Sequence, residues 1–336
     1  MLRTDQIFLL VGDTAVYWYG IIIALAIGIG VLVACYAAKL RNINRNHILF
    51  TSMVSMPLAW LGGRLYYVSF SNDAFAESSG GNPCVYGGYA LYGALIGVLA
   101  GAIIAALLLH CKVGNLLDVL APGLAACIAV GRWANVFSGE NMGGIVDSES
   151  MQSLPFAVYS TGEEVWRTAL FFYESLVSAG ICVFLFWLIN YSLKHKNFRS
   201  ISGDVYLIFV ITYTLTHGLL EDKRIDPLFF INNLVPKLQT VRVSFALGGL
   251  FSAIALSVFL IRRMTREGIK PANVIPCMGC AVCYTAYFCK VIRIGTGNSV
   301  LDTLIITVGG IGLIAIGIYN YWQLATQICK RKRSFK

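Results

Sequence analysis

The stretch GRWANVFSGENMGG, residues 131–144, gathers Arg132, Asn135, Ser138 and Glu140 where an apolar run breaks into small and polar residues. Arginine offers a planar fork of donors matched to a phosphate, and asparagine both donates to and accepts from a polar headgroup. Three residues apart, Arg132 and Asn135 share a face of a helix. A second group, HGLLEDKRIDPLFF, spaces His217, Glu221 and Arg224 by four and three, with a carboxylate between two basic side chains. Such a set suits one anion held by His217 and Arg224 while Glu221 keeps the arginine oriented. The plainer use of the same residues is a helix-end ion pair of Glu221 with Arg224, worth about 0 to 1 kcal/mol if exposed. Tyr19, Arg64, Tyr92 and Glu174 are further polar side chains set within apolar runs.

Those runs are the elements that must position the chemistry. Hydrophobic residues make up 57% of the 336 positions and charged ones only 13%, about half the charge of an ordinary soluble domain, so the bilayer is the main solvent. Runs of spanning length lie near 16–38, 46–70, 85–109, 114–133, 168–192, 203–220 and 242–261. Two more, 273–292 and 300–323, suit a hairpin, the first interrupted by Pro276, Gly279 and several cysteines. The expected fold is all-α: a polytopic transmembrane bundle of seven core helices and a C-terminal hairpin of two. The formal charge of +9 needs no nucleic acid, because basic residues are retained on the cytoplasmic side of membrane proteins.

Basic residues fall in alternate connections: Lys39, Arg41 and Arg45; Lys112; Lys194, Lys196 and Arg199; Arg262, Arg263, Arg266 and Lys270. The opposite connections carry Asp73 and Glu77, then Asp147, Glu149, Glu163 and Glu164. The rule for short loops places the basic set in the cytoplasm and the amino terminus outside, and a basic tail inside requires nine spans. The start of the chain lacks the apolar core and cleavage site of a signal peptide, so the first span is expected to remain. An ionisable group within a span costs roughly 2.5 to 3.5 kcal/mol on insertion scales, and those that persist line cavities or pathways. With this topology Tyr19, Arg64, Tyr92, Arg132, Glu174 and His217 fall in the outer third of their helices, and Asn135, Glu140, Glu221 and Arg224 just beyond. Small-residue pairs such as Gly97 and Gly101 are read as helix packing.

Seven stretches, in order and spacing, resemble the prolipoprotein diacylglyceryl transferase family: WYG at Trp18–Gly20, GGRLYYV from Gly62, GGYALYGALIG from Gly87, DVLAPGLAACIAVGRWANVFSGE from Asp118, FYES at Phe172–Ser175, EDKRIDPL from Glu221 and RVS at Arg242–Ser244. The resemblance implies transfer of a diacylglyceryl group from phosphatidylglycerol to the lipobox cysteine of a prolipoprotein signal peptide in a bacterial plasma membrane. The products are a thioether and glycerol phosphate, with no metal or organic cofactor. It places Arg132 on the lipid phosphate, Asn135 and Glu140 in ordering that pocket, and Glu221 and Arg224 on its second wall; Arg64 joins the binding set, and Tyr19 and Glu221 the catalytic one. Tyr92 and His217 stand as alternatives for the base that activates the thiol.

Several positions depart from the family pattern. Tyr92 stands where many members have histidine, His217 where arginine is usual, Ala134 for glycine, Ser138 for asparagine and Phe245 for glutamine; Thr168 and Ala169 replace a His-Pro pair. These changes keep open a homologue that binds lipid or signal peptide without turnover. A small-solute transporter is the third reading, and it calls for charged residues at the midplane and inner end, where Asp118 is the main one. The resemblance divides the chain into a transferase-like part, 1–262, and a cysteine-rich membrane segment with a basic tail, 263–336. In the latter, Cys277, Cys280, Cys283 and Cys289 have spacings that would suit zinc or an iron-sulfur cluster, although helix packing accounts for them as well.

Overall fold

The computed structural model describes residues 7–11, 14–70, 88–160, 163–195, 201–221, 223–225, 228, 242–267, 271–291 and 299–334. The chain opens in an antiparallel pair, β1 (Ile7–Val11) with β2 (Thr14–Tyr17), before α1 (Trp18–Leu40) and α2 (Arg45–Phe70). Then come α3 (Leu91–Leu108) and α4 (Val113–Gly131), which tightens through a 3-10 turn (Arg132–Ala134) into the single turn α5 (Asn135–Ser138). A two-stranded arm, β3 (Ala157–Ser160) with β4 (Val165–Thr168), leads to α6 (Leu170–Lys194). The last elements are α7 (Asp204–Glu221), α8 (Val243–Glu267), α9 (Pro271–Val291) and α10 (Ser299–Ser334).

Nine of these helices exceed one turn among the described residues, matching the seven expected core runs and the expected hairpin. Seven are long and apolar enough to cross a membrane. The helix α7 is not among them, since Asp204, His217 and Glu221 dilute its apolar content, and α9 contributes only the shorter run Ile275–Tyr287. In lipid every backbone amide must be satisfied within the segment, which is why such apolar runs close into helices. The helix α3 begins later than the expected 85: residues 88–90 are not helical, Ala90 is extended, and its N–H donates to the Gly63 carbonyl at 3.1 Å.

Small residues set the helix spacing. The helices α2 and α3 meet backbone to backbone, and a Cβ at Gly97 would run into the Leu58 carbonyl. Gly101 likewise rests on Ser55, so both glycines serve packing as expected. The hairpin is seated on the bundle: Tyr287 of α9 is fully buried and stacks on Phe245 of α8 at 4.3 Å, Arg263 donates to Asn320 of α10 at 3.0 Å, and Trp322 lies against Trp187 and Tyr191 of α6. Phe245 thus fills a position where a glutamine was the familiar residue with an aromatic contact to a helix beyond the seventh.

The basic connections converge at one end. Asp118, fully buried in α4, receives Arg41 at 2.6 Å and the backbone N–H groups of Gly203 and Tyr206, each at 3.0 Å. Beside it Asp204 receives Arg262 at 2.6 Å and the Ile201 N–H at 2.8 Å. Sequence reasoning placed Arg41 and Arg262 at this end and recognised Asp118 there, but not Asp204. Asp73, Glu77, and the side chains of Lys196, Arg199, Arg266, Lys270 and the basic tail, lie outside the described residues.

Candidate functional site

Opposite the basic end, α4 loses its regular geometry where Arg132 leaves it. Trp133 donates from Nε1 to Ser175 Oγ at 3.1 Å, and Ser175 donates to the Ala129 carbonyl at 2.5 Å. These two bonds fix the exit of α4 against α6. Gly139, at φ 72, then turns the chain back in the left-handed region that glycine adopts without strain, bringing Asn141 over the same helix. Trp18, stacked on Phe137 and met edge-on by Phe8, closes the side next to α1.

The group at the centre is Glu174, 2% exposed, in the second turn of α6. One of its oxygens accepts from Arg132 Nη2 at 2.5 Å, Tyr213 Oη at 2.9 Å and His217 Nδ1 at 2.9 Å; the other accepts from Asn141 Nδ2 at 3.0 Å. Removing water from a charge costs several kcal/mol, and four donors from three segments of chain are what offsets that here. Tyr213 and His217 are four apart on α7, so one helix face supplies both.

Next to this hub lies Glu221, also 2% exposed, with its Oε2 at 3.9 Å from His217 Nε2 and 3.4 Å from Arg224 Nη1. Arg242 donates to the Glu221 backbone carbonyl. The Nε of Arg132 and Oε1 of Glu221 are buried and make no hydrogen bond among the described residues. Arg132 and Arg224 are close enough to repel one another electrostatically. Two partly buried guanidinium groups in one cluster, one with a donor to spare, are the elements of an anion site.

The sequence-predicted residues mostly come together. Arg132, His217, Glu221 and Arg224 form one connected cluster, and Tyr92 packs edge-on against His217 with centroids 5.1 Å apart. Tyr19 is within electrostatic reach of Glu140 and Arg132 at its rim, and Asn135 is buried one turn beyond Arg132. Arg64 is set apart: it donates to the Gly88 carbonyl at 3.1 Å and lies over the rings of Tyr67 and Tyr89. Sequence reasoning marked Glu174 as a buried charge and Arg242 as part of a family stretch yet gave neither a role, and missed Tyr213 and Asn141. A carboxylate in an apolar helix announces the need for partners. Which side chains answer it depends on helix rotation, which no local pattern carries.

Among the described residues no three His, Cys, Asp or Glu side chains are grouped to hold a metal. Cys280 is buried, Cys283 packs against Gly312 of α10, and the side chain of Cys289 lies outside the described residues.

Residues 6–262 match the family model described as prolipoprotein diacylglyceryl transferase. Among similar proteins, the phosphatidylglycerol-prolipoprotein diacylglyceryl transferase of Clostridium botulinum strain Hall is 30% identical over 76% of this chain and 96% of its own length. The enzyme of the same name from Listeria monocytogenes is 29% identical over 77% of this chain and 90% of its own. That of Finegoldia magna is 29% identical, with 72% and 92% covered. The α9–α10 hairpin lies beyond the family match.

Proposed function

The chain belongs to the prolipoprotein diacylglyceryl transferase family, and from that membership we infer that it moves the diacylglyceryl group of phosphatidylglycerol onto the lipobox cysteine of a prolipoprotein signal peptide. It is a multi-pass membrane transferase acting at the first step of lipoprotein maturation. The observation that carries this reading to the site is Arg132 Nε, buried and without a hydrogen bond among the described residues, on an arginine anchored to Glu174 in the cluster that also holds Arg224 through Glu221. An anion that accepts from that donor satisfies it, and the phosphodiester of a lipid headgroup is such an anion.

Arg132 uses Nη2 to stay anchored on Glu174 and offers Nε to the phosphate. Arg224, anchored on Glu221, faces it from the second wall. As the ester bond breaks, negative charge grows on the leaving phosphate, and preorganised donors that meet this charge lower the barrier. Asn135, Glu140 and Tyr19 order the headgroup side of the pocket. Arg64 acts by holding the 88–90 segment, through Gly88, beside the path of the lipid. No cofactor enters the reaction. Positive charge retained inside places the basic end, with Arg41, Lys112 and Arg262, in the cytoplasm of a bacterial cell. The amino terminus and the Glu174 site then face outward, where the outer leaflet supplies lipid and an emerging signal peptide supplies the thiol. Residues 1–262 form the transferase part and 263–336 an added membrane segment.

A reconstituted assay with phosphatidylglycerol vesicles and a lipobox peptide tests the reading. Peptide mass is expected to rise by one diacylglyceryl group as glycerol phosphate appears. Lipid binding with no adduct, beside an active relative, would replace the transferase with a lipid-binding homologue.

A further inference from the structure

We propose that Glu174 is a positioning residue that makes His217 the base for the acceptor thiol, an assignment that rests on the transferase reading above. Four donors surround the Glu174 carboxylate, the environment of an ionised group that only accepts hydrogen bonds. The imidazole nitrogen that meets it at 2.9 Å, Nδ1, is therefore the one carrying hydrogen. In neutral His217 the lone pair is then on Nε2. That nitrogen makes no hydrogen bond among the described residues, and Glu221 Oε2, at 3.9 Å, is too far to accept one.

Aromatic rings flank the imidazole on two sides. Tyr213 lies parallel to it at 5.6 Å and 13°, and Tyr92 closes the other side edge-on at 5.1 Å and 75°. Glu174 is itself immobilised by Arg132, Asn141 and Tyr213. A buried carboxylate that fixes the tautomer and orientation of an imidazole, and stabilises the imidazolium once formed, is the relation of acid to base in hydrolase triads. Tyr92 has no such support: its hydroxyl donates to the Thr214 carbonyl at 3.4 Å. A phenol must also lose its own proton, at a pKa near 10, before it can accept one. The groups facing His217 are Tyr92 from α3, Arg132 from the end of α4, Glu174 from α6, Tyr213 and Glu221 from α7, Arg224 beyond it, and Tyr287 of α9 across Gly218.

The thiol proton passes to His217 Nε2, and the sulfur electron pair attacks the glyceryl carbon that bears the phosphate ester. The C–S bond forms as the C–O bond breaks, and the electron pair leaves on the glycerol phosphate oxygen. That oxygen then takes the proton from Nε2, which restores the neutral imidazole.

The test compares two lipobox peptides, one with cysteine and one with selenocysteine, whose selenol is ionised at neutral pH and needs no base. Full-length protein and variants are assayed in phosphatidylglycerol vesicles under reducing conditions. For His217→Gln the expected loss is about 10²- to 10⁴-fold on the cysteine peptide, the range of general-base catalysis, and under about 10-fold on the selenocysteine peptide. Glu174→Gln should also lose more on cysteine than on selenocysteine, since His217 Nδ1 then loses the carboxylate that fixes its hydrogen. Equal losses on both peptides would make Glu174 and His217 structural and overturn the proposal. Acceptor-dependent loss in Tyr92→Phe, with none in His217→Gln, would move the base to Tyr92. No adduct from the unaltered protein on either peptide would instead defeat the transferase reading on which the proposal stands.

Discussion

Asp118 and Glu174 are both buried carboxylates paired with an arginine, on adjacent helices at opposite ends of the bundle, yet their remaining partners differ in kind. Asp118 takes two of its three recorded hydrogen bonds from backbone amides, those of Gly203 and Tyr206. Glu174 takes all four from side chains. A backbone donor is placed by the fold and withdraws only if the chain unwinds, so Asp118 staples the α6–α7 connection to α4 and α1. A side-chain donor can turn toward another acceptor while the helices stay put. The Glu174 end is thus built to exchange partners with a ligand, and the Asp118 end to resist change.

The contrast breaks if the two ends respond alike to loss of one partner. Arg132→Ala should cost the most: transfer in the reconstituted assay is expected to fall by about 10³-fold or more, since an oriented donor to developing charge is typically worth 10² to 10³ and the lipid phosphate also loses a cation. Retained rescue of lipoprotein lipidation in depleted cells would remove Arg132 from the phosphate. Asp118→Ala should act on stability instead. Breaking the pair at its buried member and leaving the Gly203 and Tyr206 N–H groups without their acceptor costs about 3 to 5 kcal/mol, read as a lowered melting temperature in detergent, while each folded molecule transfers within about twofold of the parent rate. A large loss of rate without loss of stability would abolish the distinction.

The smallest effect sharpens the boundary of the site. Glu163, exposed on the β3–β4 arm, is held below the ordinary carboxylate range by its hydrogen bond to Arg167. A depressed carboxylate contributes above its unfolded value, near 4.3, and the contribution disappears as pH falls through the lower folded-state value. Throughout pH 6 to 8 that contribution is fully present, so Glu163→Gln is expected to lower the melting temperature only slightly, as suits an exposed pair, by the same amount across the range, and to leave transfer unchanged, both measured on the same preparation. A change of rate there would extend the working site onto the arm.

How much of this was legible beforehand follows the same division. Spans such as 46–70, against the observed Arg45–Phe70, can be read because lipid forces apolar runs into helices. The His217, Glu221 and Arg224 set was legible because four-and-three spacing is local. Glu174 as a hub was not: its donors lie 42, 33, 39 and 43 residues away, and sequence gives their chemistry without their distance. Asp204 and Arg262 were hidden in the same way, 58 residues apart. The β1–β2 pair left a usable signal, since IFLLV and TAVY flank a two-residue Gly-Asp connection, although runs this short are masked by the much stronger helical hydropathy that follows.

The hairpin carries a consequence for the order in which the molecule is made. During translation α9 and α10 emerge after every helix that supplies Arg132, Glu174, His217 and Glu221. Until then the groove of α7 at Gly218 has no Tyr287 to fill it, and the facing sides of α8 and α6 meet acyl chains. Ribosome and insertion machinery thus complete the wall beside His217 late in biogenesis, and a nascent chain halted near residue 262 would carry the reacting groups within an unsealed bundle.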